Sequence, residues 1–228
     1  SRGFAYASGM TAIGSALALL ESGDHLVASA DLYGGSWRFI TGVLPQQGIS
    51  CTLVDTTDTQ AVKAAITPQT RALFLETPSN PLFRITDLRA MVEIAGQHGL
   101  ITMLDNTFMT PLLQRPLDLG IDVTIHSATK FLGGHSDILA GLVSVSDHAL
   151  GKRLKYFQNA FGAVLSPFDS FLLSRGIKTL KVRLDAAQTS AGELARRLVQ
   201  HPAVGVCQFC GCMVDYRRHQ AAGIVAVR

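Results

Sequence analysis

The sequence has little charge, few aromatic residues and no long apolar run. Of its 228 residues, 16% are charged and 7% are aromatic, and the net charge at pH 7 is +3. Because the basic residues are scattered along the chain, we expect no nucleic-acid partner. No stretch of about 18 apolar residues is present that would cross a membrane, and the N-terminus lacks the apolar core of a signal peptide. We therefore expect a soluble, cytoplasmic protein with no membrane partner.

Cysteine is also scarce, and its placement argues against a disulfide scaffold. Cys51 stands alone, whereas Cys207, Cys210 and Cys212 lie together near the end of the sequence. A secreted disulfide scaffold would be shorter and richer in cysteine. Cys207 and Cys210 have C-x-x-C spacing, but zinc needs two further ligands, and only Cys212 and His219 are near, at irregular spacing. We expect free thiols and no metal, with zinc as the alternative.

The sequence does contain a regular alternation of short apolar runs and helical patterns. Strands are predicted over 25–29, 50–54, 71–76, 100–105, 122–126 and 139–145, and helices over 9–21, 35–44, 58–66 and 87–98. Short apolar strands separated by helices predict a mainly parallel sheet covered on both faces, the doubly wound α/β architecture. In such a sheet, binding sites lie in the loops beyond the carboxyl ends of the strands.

After about residue 148 the pattern changes to long helices. We predict helices over 148–160 and 167–200 with no strand between them. Pro202 marks the end of the second of these helices, and the residues from 203 onward have no clear period. This change of pattern predicts that a second domain begins in this region.

The segment around Lys130 carries the strongest chemical signal. Lys130 follows an apolar strand, is flanked by Ser127 and Thr129, and precedes two glycines. A lysine is an odd residue to bury there for structural reasons alone, but a desolvated neutral amine can form a Schiff base with a carbonyl. The two neighbouring hydroxyls could bind an anionic group. A surface lysine that merely follows a strand is the alternative.

Four other segments each offer one group that would suit the same flat, anionic ligand. Asp105 ends a different strand, where a carboxylate can pair with a protonated ring nitrogen, helix capping or metal binding being the alternatives. Gly9 and Met10 open a helix, whose N-terminus attracts phosphate. Asn80, between two prolines, could bind a ring hydroxyl, and Tyr33 could stack on a ring. Taken singly, each is more often an ordinary loop or cap residue.

Taken together, these segments resemble the Cys/Met-metabolism enzymes that depend on pyridoxal 5'-phosphate (PLP). The resemblance covers residues from about 3 to 204, and its most specific piece is SATKFLGGHSD at 127–137. Supporting segments are SGM at 8–10, YGG at 33–35, ETPSNP at 76–81, DNT at 105–107 and RGIKTL at 175–180.

The resemblance implies a role for each residue around the cofactor ring. Lys130 would hold the cofactor and then move the protons of the substrate. Asp105 would face the pyridine nitrogen, and Asn80 would contact the ring hydroxyl. Tyr33 would stack on the ring and assist proton transfer at the leaving sulfur, and Thr107 would pack near the ring.

The resemblance also implies a phosphate site and an amino-acid substrate. The amides of Gly9 and Met10 and the hydroxyls of Ser127 and Thr129 would hold the phosphate. Local similarity in 108–120 and 158–165 favours the β-elimination of cystathionine to homocysteine, ammonia and pyruvate. A γ-replacing cystathionine γ-synthase or O-acylhomoserine sulfhydrylase is one alternative, and a truncated, non-catalytic remnant that serves as a scaffold is another. Family members imply a homo-oligomer, either a dimer or a tetramer.

The resemblance implies the following division of the chain. We expect residues 1–165 to form the PLP-binding large domain, without the N-terminal arm of family members. Residues 166–228 would form a linking long helix and the truncated start of a C-terminal domain, without the arginine that binds the substrate carboxylate. Beyond Val204 the resemblance fails, and we expect a shifted reading frame or a divergent tail.

Overall fold

The structure is a computed structural model that describes residues 1–204, 207–209 and 225–227. Two short antiparallel strands, β8 (Cys207–Phe209) and β9 (Val225–Val227), are described by their backbone. The predictions made for the thiols of Cys207, Cys210 and Cys212, for His219 and for the origin of the tail fall outside the described residues.

A seven-stranded, mostly parallel sheet forms the centre of the fold. Its strands in chain order are β1 (Arg2–Tyr6), β2 (His25–Ser29), β3 (Ser50–Val54), β4 (Thr70–Glu76), β5 (Ile101–Asp105), β6 (Val123–Ser127) and β7 (Gly141–Val145). Their spatial order is β1-β7-β6-β5-β4-β2-β3. Neighbours from β3 to β6 run parallel, and β7 runs antiparallel to both β6 and β1. This arrangement confirms the predicted α/β class.

Eight helices connect or flank these strands in the described part of the chain. They are α1 (Gly9–Leu17), α2 (Gly34–Arg38), α3 (Thr59–Ala65), α4 (Leu88–His98), α5 (Thr110–Leu113), α6 (His148–Phe161), α7 (Pro167–Lys178) and α8 (Leu180–Val199). A π-helical turn covers Phe39–Val43, and 3-10 turns cover Leu44–Gln47 and Pro116–Leu119. None of the helices in the described ranges combines the length and the hydropathy of a membrane span.

Side chains cap five of these helices at their N-termini, which explains where they begin. The Asp58, Asp87 and Asp147 carboxylates accept hydrogen bonds from backbone amides in the first turn of α3, α4 and α6. Ser8 and Ser166 do the same for α1 and α7. Such caps satisfy amides that have no partner within the helix.

Two of the predicted helices were wrong in extent. The predicted helix 167–200 is two helices, because the backbone leaves helical geometry at Thr179, where φ is −104° and ψ is 4°. Helix α1 ends at Leu17, although the prediction extended to residue 21. Leu19 and Leu20 continue the apolar pattern because they are buried in the core from a turn and not from the helix.

The apolar core lies on both faces of the sheet, as the alternation of side chains along each strand requires. Ala72 and Phe74 of β4 pack with α1 in one cluster, whereas Leu73 and Leu75 pack with α4 in another. A third cluster joins the segment after β6 to α7 and α8; its buried members are Ala128, Leu132, Ile138, Ala140, Leu173 and Leu180. This third cluster places the segment that contains Lys130 between the sheet and the C-terminal helices.

Candidate active site

The carboxyl ends of four parallel strands bring the candidate residues to one edge of the sheet. Tyr33 follows β2, Asn80 follows β4, Asp105 ends β5 and Lys130 follows β6. Glu76 at the end of β4 lies in register with Asp105, and the backbone amide of Asn106 donates to the carbonyl of Ile125 in β6 over 2.8 Å. The sheet therefore positions the residues that the sequence predicts for the site.

Asp105 is a buried carboxyl that is held by the residue two places after it. The backbone N and the Oγ1 of Thr107 donate to Asp105 Oδ1 over 3.0 and 2.5 Å. Burial raises the pKa of Asp105, and the two bonds from Thr107 oppose this rise. Because burial penalises the negative charge, a cation placed beside Asp105 would favour its ionised form.

The Thr107 hydroxyl joins the ends of β5 and β6. In addition to the bond that it donates to Asp105, Thr107 Oγ1 accepts a hydrogen bond from the backbone N of Ser127 over 2.8 Å. Since this one oxygen contacts both strand ends, it fixes the position of Asp105 relative to the segment that leads to Lys130.

Glu76 is a site residue that the sequence analysis did not single out. It is 6% exposed, and its Oε2 accepts a hydrogen bond from the backbone N of Tyr33 over 2.9 Å. Burial, followed by the nearby charge of Asp105, raises the pKa of Glu76 to about 8. The sequence did contain a signal for this residue: Glu76 is a charged residue at the end of an apolar strand, directly before the TPSNP loop.

Tyr33 presents an exposed ring beside the N-terminus of α1. A Cβ added to Gly35 would lie 2.5 Å from the Tyr33 ring and 2.7 Å from Met10 Sδ, so the ring and Met10 both lie against this glycine. The Tyr33 side chain is 45% exposed. The glycine therefore permits the close approach that brings the ring to the first turn of α1.

The N-terminus of α1 also lies against the end of β6. A Cβ added to Gly9 would lie 2.7 Å from both Cβ and Oγ of Ser127. Ser127 Oγ takes part in no hydrogen bond within the described part of the chain, so it can donate to a ligand. Thr129 Oγ1, in contrast, already accepts from Ala140 N over 3.1 Å and lies 3.3 Å from Ala140 O.

Lys130 lies in a tight turn, and its side chain is exposed. Its backbone N donates to Ser127 O over 3.2 Å, and its carbonyl accepts from Gly134 N over 2.8 Å. The expectation that this lysine is buried was wrong, because the described residues surround its backbone and leave the side chain open to solvent. Any desolvation of the amine must therefore come from a bound ligand or from further polypeptide.

Asn80 lies at the same edge, in a loop that its neighbours hold. The Thr77–Pro78 and Asn80–Pro81 bonds are cis, and Ser79 N donates to Arg84 O over 3.0 Å. None of the hydrogen bonds among the described residues joins the Asn80 amide to another candidate residue. Its predicted contact with a ring hydroxyl remains a prediction.

A buried polar network beneath the site was also missed by the sequence analysis. Asn106 Nδ2 donates to His126 Nε2 over 3.2 Å, and Gln114 Nε2 donates to Asn106 Oδ1 over 2.8 Å and to Thr77 O over 3.4 Å. Burial lowers the pKa of His126 to about 4, so its ring is neutral at pH 7. The network links the loops after β4 and β5 to β6, and so holds three of the strand ends together.

Comparison with known proteins gives a consistent result. The family described as Cys/Met metabolism PLP-dependent enzyme matches residues 1–223. The chain is 54% identical over 204 residues to the cystathionine beta-lyase MetC of Bacillus subtilis, a match that covers 90% of this chain and 52% of the relative. It is 49% identical to the cystathionine gamma-lyase of the same organism, covering 92% of this chain and 55% of that protein.

Two further similarities extend this result. The cystathionine gamma-synthase/O-acetylhomoserine (thiol)-lyase of B. subtilis is 49% identical, over 90% of this chain and 55% of that protein. The crystal structure of cystathionine gamma-lyase from Lactobacillus plantarum complexed with L-serine has a TM-score of 0.88 and 48% identity, over 91% of this chain and 54% of that chain. This chain thus spans about half the length of the relatives that it matches.

Proposed function

This chain belongs to the Cys/Met metabolism PLP-dependent enzyme family, and from that premise we propose that it is the cofactor-binding part of a cystathionine β-lyase. The reaction converts cystathionine and water to homocysteine, ammonia and pyruvate. The observation that carries the proposal is the assembly of Lys130, Asp105 and the Gly9–Ser127 contact at one sheet edge. The 54% identity to a cystathionine β-lyase favours β-elimination over the other reactions of the family.

The residues at this edge fit PLP. Asp105 offers a buried carboxyl whose pKa is raised by burial, and a cationic ring nitrogen would offset that effect. Between Gly9 and Ser127 Oγ there is no room for a Cβ, so the first amides of α1 and this hydroxyl can reach the same phosphate. When bound, PLP supplies an electron sink for negative charge at the substrate α carbon.

In this proposal each residue has a defined role. Lys130 holds the cofactor through its Nζ, which later removes the proton from the substrate α carbon. Asp105 accepts a hydrogen bond from the ring nitrogen, and Asn80 contacts the ring hydroxyl. Tyr33 covers the ring and donates a proton from its hydroxyl to the leaving sulfur. Thr107 holds the Asp105 carboxylate in place, through the bonds described above.

The remaining members of the predicted phosphate site have unequal support. The position of Met10 in the first turn of α1 and the unused Ser127 hydroxyl both suit phosphate binding. Thr129 is the weakest member, because its hydroxyl already contacts Ala140, the residue directly before β7. We propose that Gly9, Met10 and Ser127 carry most of the phosphate contact, and that Thr129 mainly holds its segment to the sheet.

The first test is an absorbance spectrum after addition of PLP. We expect a visible band in the wild-type chain and no such band in Lys130→Ala. On addition of L-cystathionine, the loaded chain should release pyruvate, measured by its reduction with lactate dehydrogenase, together with the thiol of homocysteine. Lys155→Ala is a control, because Lys155 lies on α6 and contacts Gln158. Absence of the band in the wild-type chain would refute cofactor binding and favour a non-catalytic remnant.

Gamma chemistry is the second candidate, because two relatives at 49% identity carry γ-lyase and γ-synthase names. A γ-lyase would release 2-oxobutanoate and cysteine from cystathionine in place of pyruvate and homocysteine. A γ-replacing enzyme would form cystathionine from cysteine and an O-acylhomoserine. Chromatography of the products from these substrates distinguishes all three reactions.

We also propose the domain division 1–165 and 166–228 and a homo-oligomer, a dimer or a tetramer. The homo-oligomer is supported by large aromatic side chains that are exposed on α6 and α7, namely Tyr156, Phe161, Phe168 and Phe171. Exposed apolar patches commonly mark protein interfaces. Light scattering after size-exclusion chromatography gives the molar mass that decides this point.

A further inference from the structure

The loop 129–134, which contains Lys130, is held from two sides. On the sheet side, Thr129 N donates to Ala140 O over 3.2 Å, and the Thr129 hydroxyl contacts the same residue. On the other side, the loop lies against the helices α7 and α8, where its apolar residue Leu132 is buried. The position of the Lys130 backbone therefore depends on helices that lie outside the sheet.

Arg183 of α8 makes the polar contacts on this second side. Its Nη1 donates to Phe131 O over 2.9 Å, its Nη2 donates to Gly176 O over 2.8 Å, and its Nε donates to Thr179 Oγ1 over 3.0 Å. Every nitrogen of the guanidinium is thus bonded, two of them to backbone carbonyls. Phe131 is the residue directly after Lys130, so the bond to its carbonyl holds the backbone one residue beyond the lysine.

The planar shape of arginine explains why one side chain can make these contacts. The guanidinium presents its donors in a fixed fork, whereas a lysine ammonium is a single point of charge on a flexible stem. The Thr179 hydroxyl, which accepts from Arg183, also donates to Gly176 O over 3.1 Å. Thr179, at the break between α7 and α8, therefore orients the guanidinium so that its Nη1 faces the loop.

The loop and the helices also approach one another too closely for additional side-chain atoms. A Cβ added to Gly134 would lie 2.1 Å from Arg183 Nη1, and Gly134 has a φ of +75°. A Cβ added to Gly176 would lie 2.2 Å from Gly133 O. Gly134 therefore allows Arg183 to pack against the backbone of the loop that contains Lys130, and Gly176 allows α7 to do the same.

A simpler role for Arg183 would be to cap the C-terminus of α7, since basic side chains commonly bond the last carbonyls of a helix. The bond to Gly176 O fits that role. The bond to Phe131 O does not, because Phe131 lies 52 residues earlier, in the loop after β6. This second carbonyl makes Arg183 a link between the C-terminal helices and the lysine loop.

We propose that Arg183 is a positioning residue: its guanidinium fixes the loop after Lys130, so that the lysine meets the cofactor from one direction. This role rests on the proposed function, because it matters for chemistry only if Lys130 holds PLP. Arg183 itself touches no reacting atom. Its effect passes through the peptide groups of the loop.

The test compares the wild-type 228-residue chain with Arg183→Gln, Arg183→Lys and a control, Arg175→Gln. Arg175 also lies on these helices and contacts the segment after the loop, but through one 3.3 Å bond to the Asp137 side chain and not to a loop carbonyl. Two quantities are measured: hydrogen exchange of the amides of residues 130–134 without cofactor, and the Kd for PLP from an absorbance titration. Thermal melting is followed alongside.

In Arg183→Gln, exchange of the Gly133 and Gly134 amides should accelerate about tenfold, and the Kd for PLP should rise about tenfold, which corresponds to about 1.4 kcal/mol. Arg183→Lys should lie between this variant and the wild type, because an ammonium cannot form the fork. Arg175→Gln should match the wild type. Exchange in the strands β4 and β5 should stay unchanged in every variant, which separates a positioning effect from general unfolding.

Three results would overturn the positioning role by itself. The first is a wild-type chain that binds PLP together with an Arg183→Gln variant that has the same Kd and the same loop exchange. The second is acceleration of exchange throughout the chain in Arg183→Lys, which would make Arg183 a general structural residue. If Arg183→Gln does not fold, wild-type values in Arg183→Lys contradict the proposal. A wild-type chain without a visible PLP band overturns the proposed function instead.

Discussion

Glu76 and Asp105 are two buried carboxyls that lie in register at the ends of neighbouring parallel strands. Burial raises the pKa of both, and the charge of Asp105 further raises that of Glu76. Two negative charges on neighbouring buried side chains are unfavourable, because little water screens them. At neutral pH we therefore expect Glu76 to carry a proton, while its Oε2 keeps the bond from Tyr33 N. This arrangement leaves Asp105 as the carboxyl that can ionise beside a cationic ring.

The raised pKa of Glu76 predicts how the stability of the cofactor-free chain depends on pH. The ordinary pKa of 4.5 applies to the unfolded chain, and about 8 applies to the folded chain. Between these values the folded state binds the extra proton, so the free energy of unfolding should fall as pH rises, by up to about 1.4 kcal/mol per pH unit. The raised pKa of Asp105 acts in the same direction. Urea unfolding across this window measures the slope.

The matched variant is Glu76→Gln, whose amide oxygen can still accept the bond from Tyr33 N and which does not titrate. Its slope across the same window should be clearly shallower than that of the wild type. Glu93→Gln is the control, because Glu93 is exposed on α4 and contacts Gln97. Equal slopes in the wild type and in Glu76→Gln would show that Glu76 does not hold its proton in the folded chain.

At the scale of elements, strands made of continuous apolar runs could be predicted from the sequence. The predicted bounds 25–29 and 50–54 are those of β2 and β3. No strand was predicted for β1, because only Phe4 and Tyr6 of this edge strand are buried and the pattern is too short to recognise. The break between α7 and α8 was missed because neither glycine nor proline marks it, and the apolar period continues through Thr179.

The candidate ligand-binding residues were easier to recognise from the sequence than the residues that hold them. Lys130 and Tyr33 follow strands and Asp105 ends one, and the carboxyl ends of parallel strands meet at one edge. Their partners could not be read from local pattern, because the bonds join distant parts of the chain. Tyr33 and Glu76 are 43 residues apart, and Arg183 lies 52 residues from Phe131. Only the packed structure brings these pairs together.

The contact between α1 and β6 predicts the effect of a single added methyl group. In Gly9→Ala, the new Cβ would lie 2.7 Å from Ser127 and would push the helix N-terminus away from the strand end. Such overpacking destabilises by about 1–3 kcal/mol. The Kd for PLP should rise as well, because the first amides of α1 would move away from the phosphate. Urea unfolding and an absorbance titration measure the two effects.

Gly96→Ala is the control for this substitution. Gly96 lies within α4, and an added Cβ there has no atom within 4 Å. Because alanine favours the helix more than glycine does, this variant should gain about 0.5–1 kcal/mol of stability. A Gly9→Ala chain that is as stable as the wild type would mean that the contact between α1 and Ser127 is looser than the structure has it.

At the scale of the whole molecule, the site is the place where separate parts of the chain meet. The N-terminus of α1, the loops after β2 and β4, and the ends of β5 and β6 all contribute to it. The third apolar cluster and Arg183 add the helices α7 and α8. A ligand that contacts all of these segments binds the folded chain and has no comparable site on the unfolded chain, so its binding and the folding equilibrium are linked.

This linkage predicts that PLP stabilises the whole chain. At a free PLP concentration about 100 times the Kd, the free energy of unfolding should increase by about 2.7 kcal/mol. Lys130→Ala lacks the covalent bond and should gain much less at the same concentration, although its cofactor-free stability should match the wild type because the Lys130 side chain is exposed. Urea unfolding with and without PLP measures both. Equal stabilisation of the two chains would mean that PLP acts elsewhere, since a ligand can stabilise the fold only through contacts that unfolding removes.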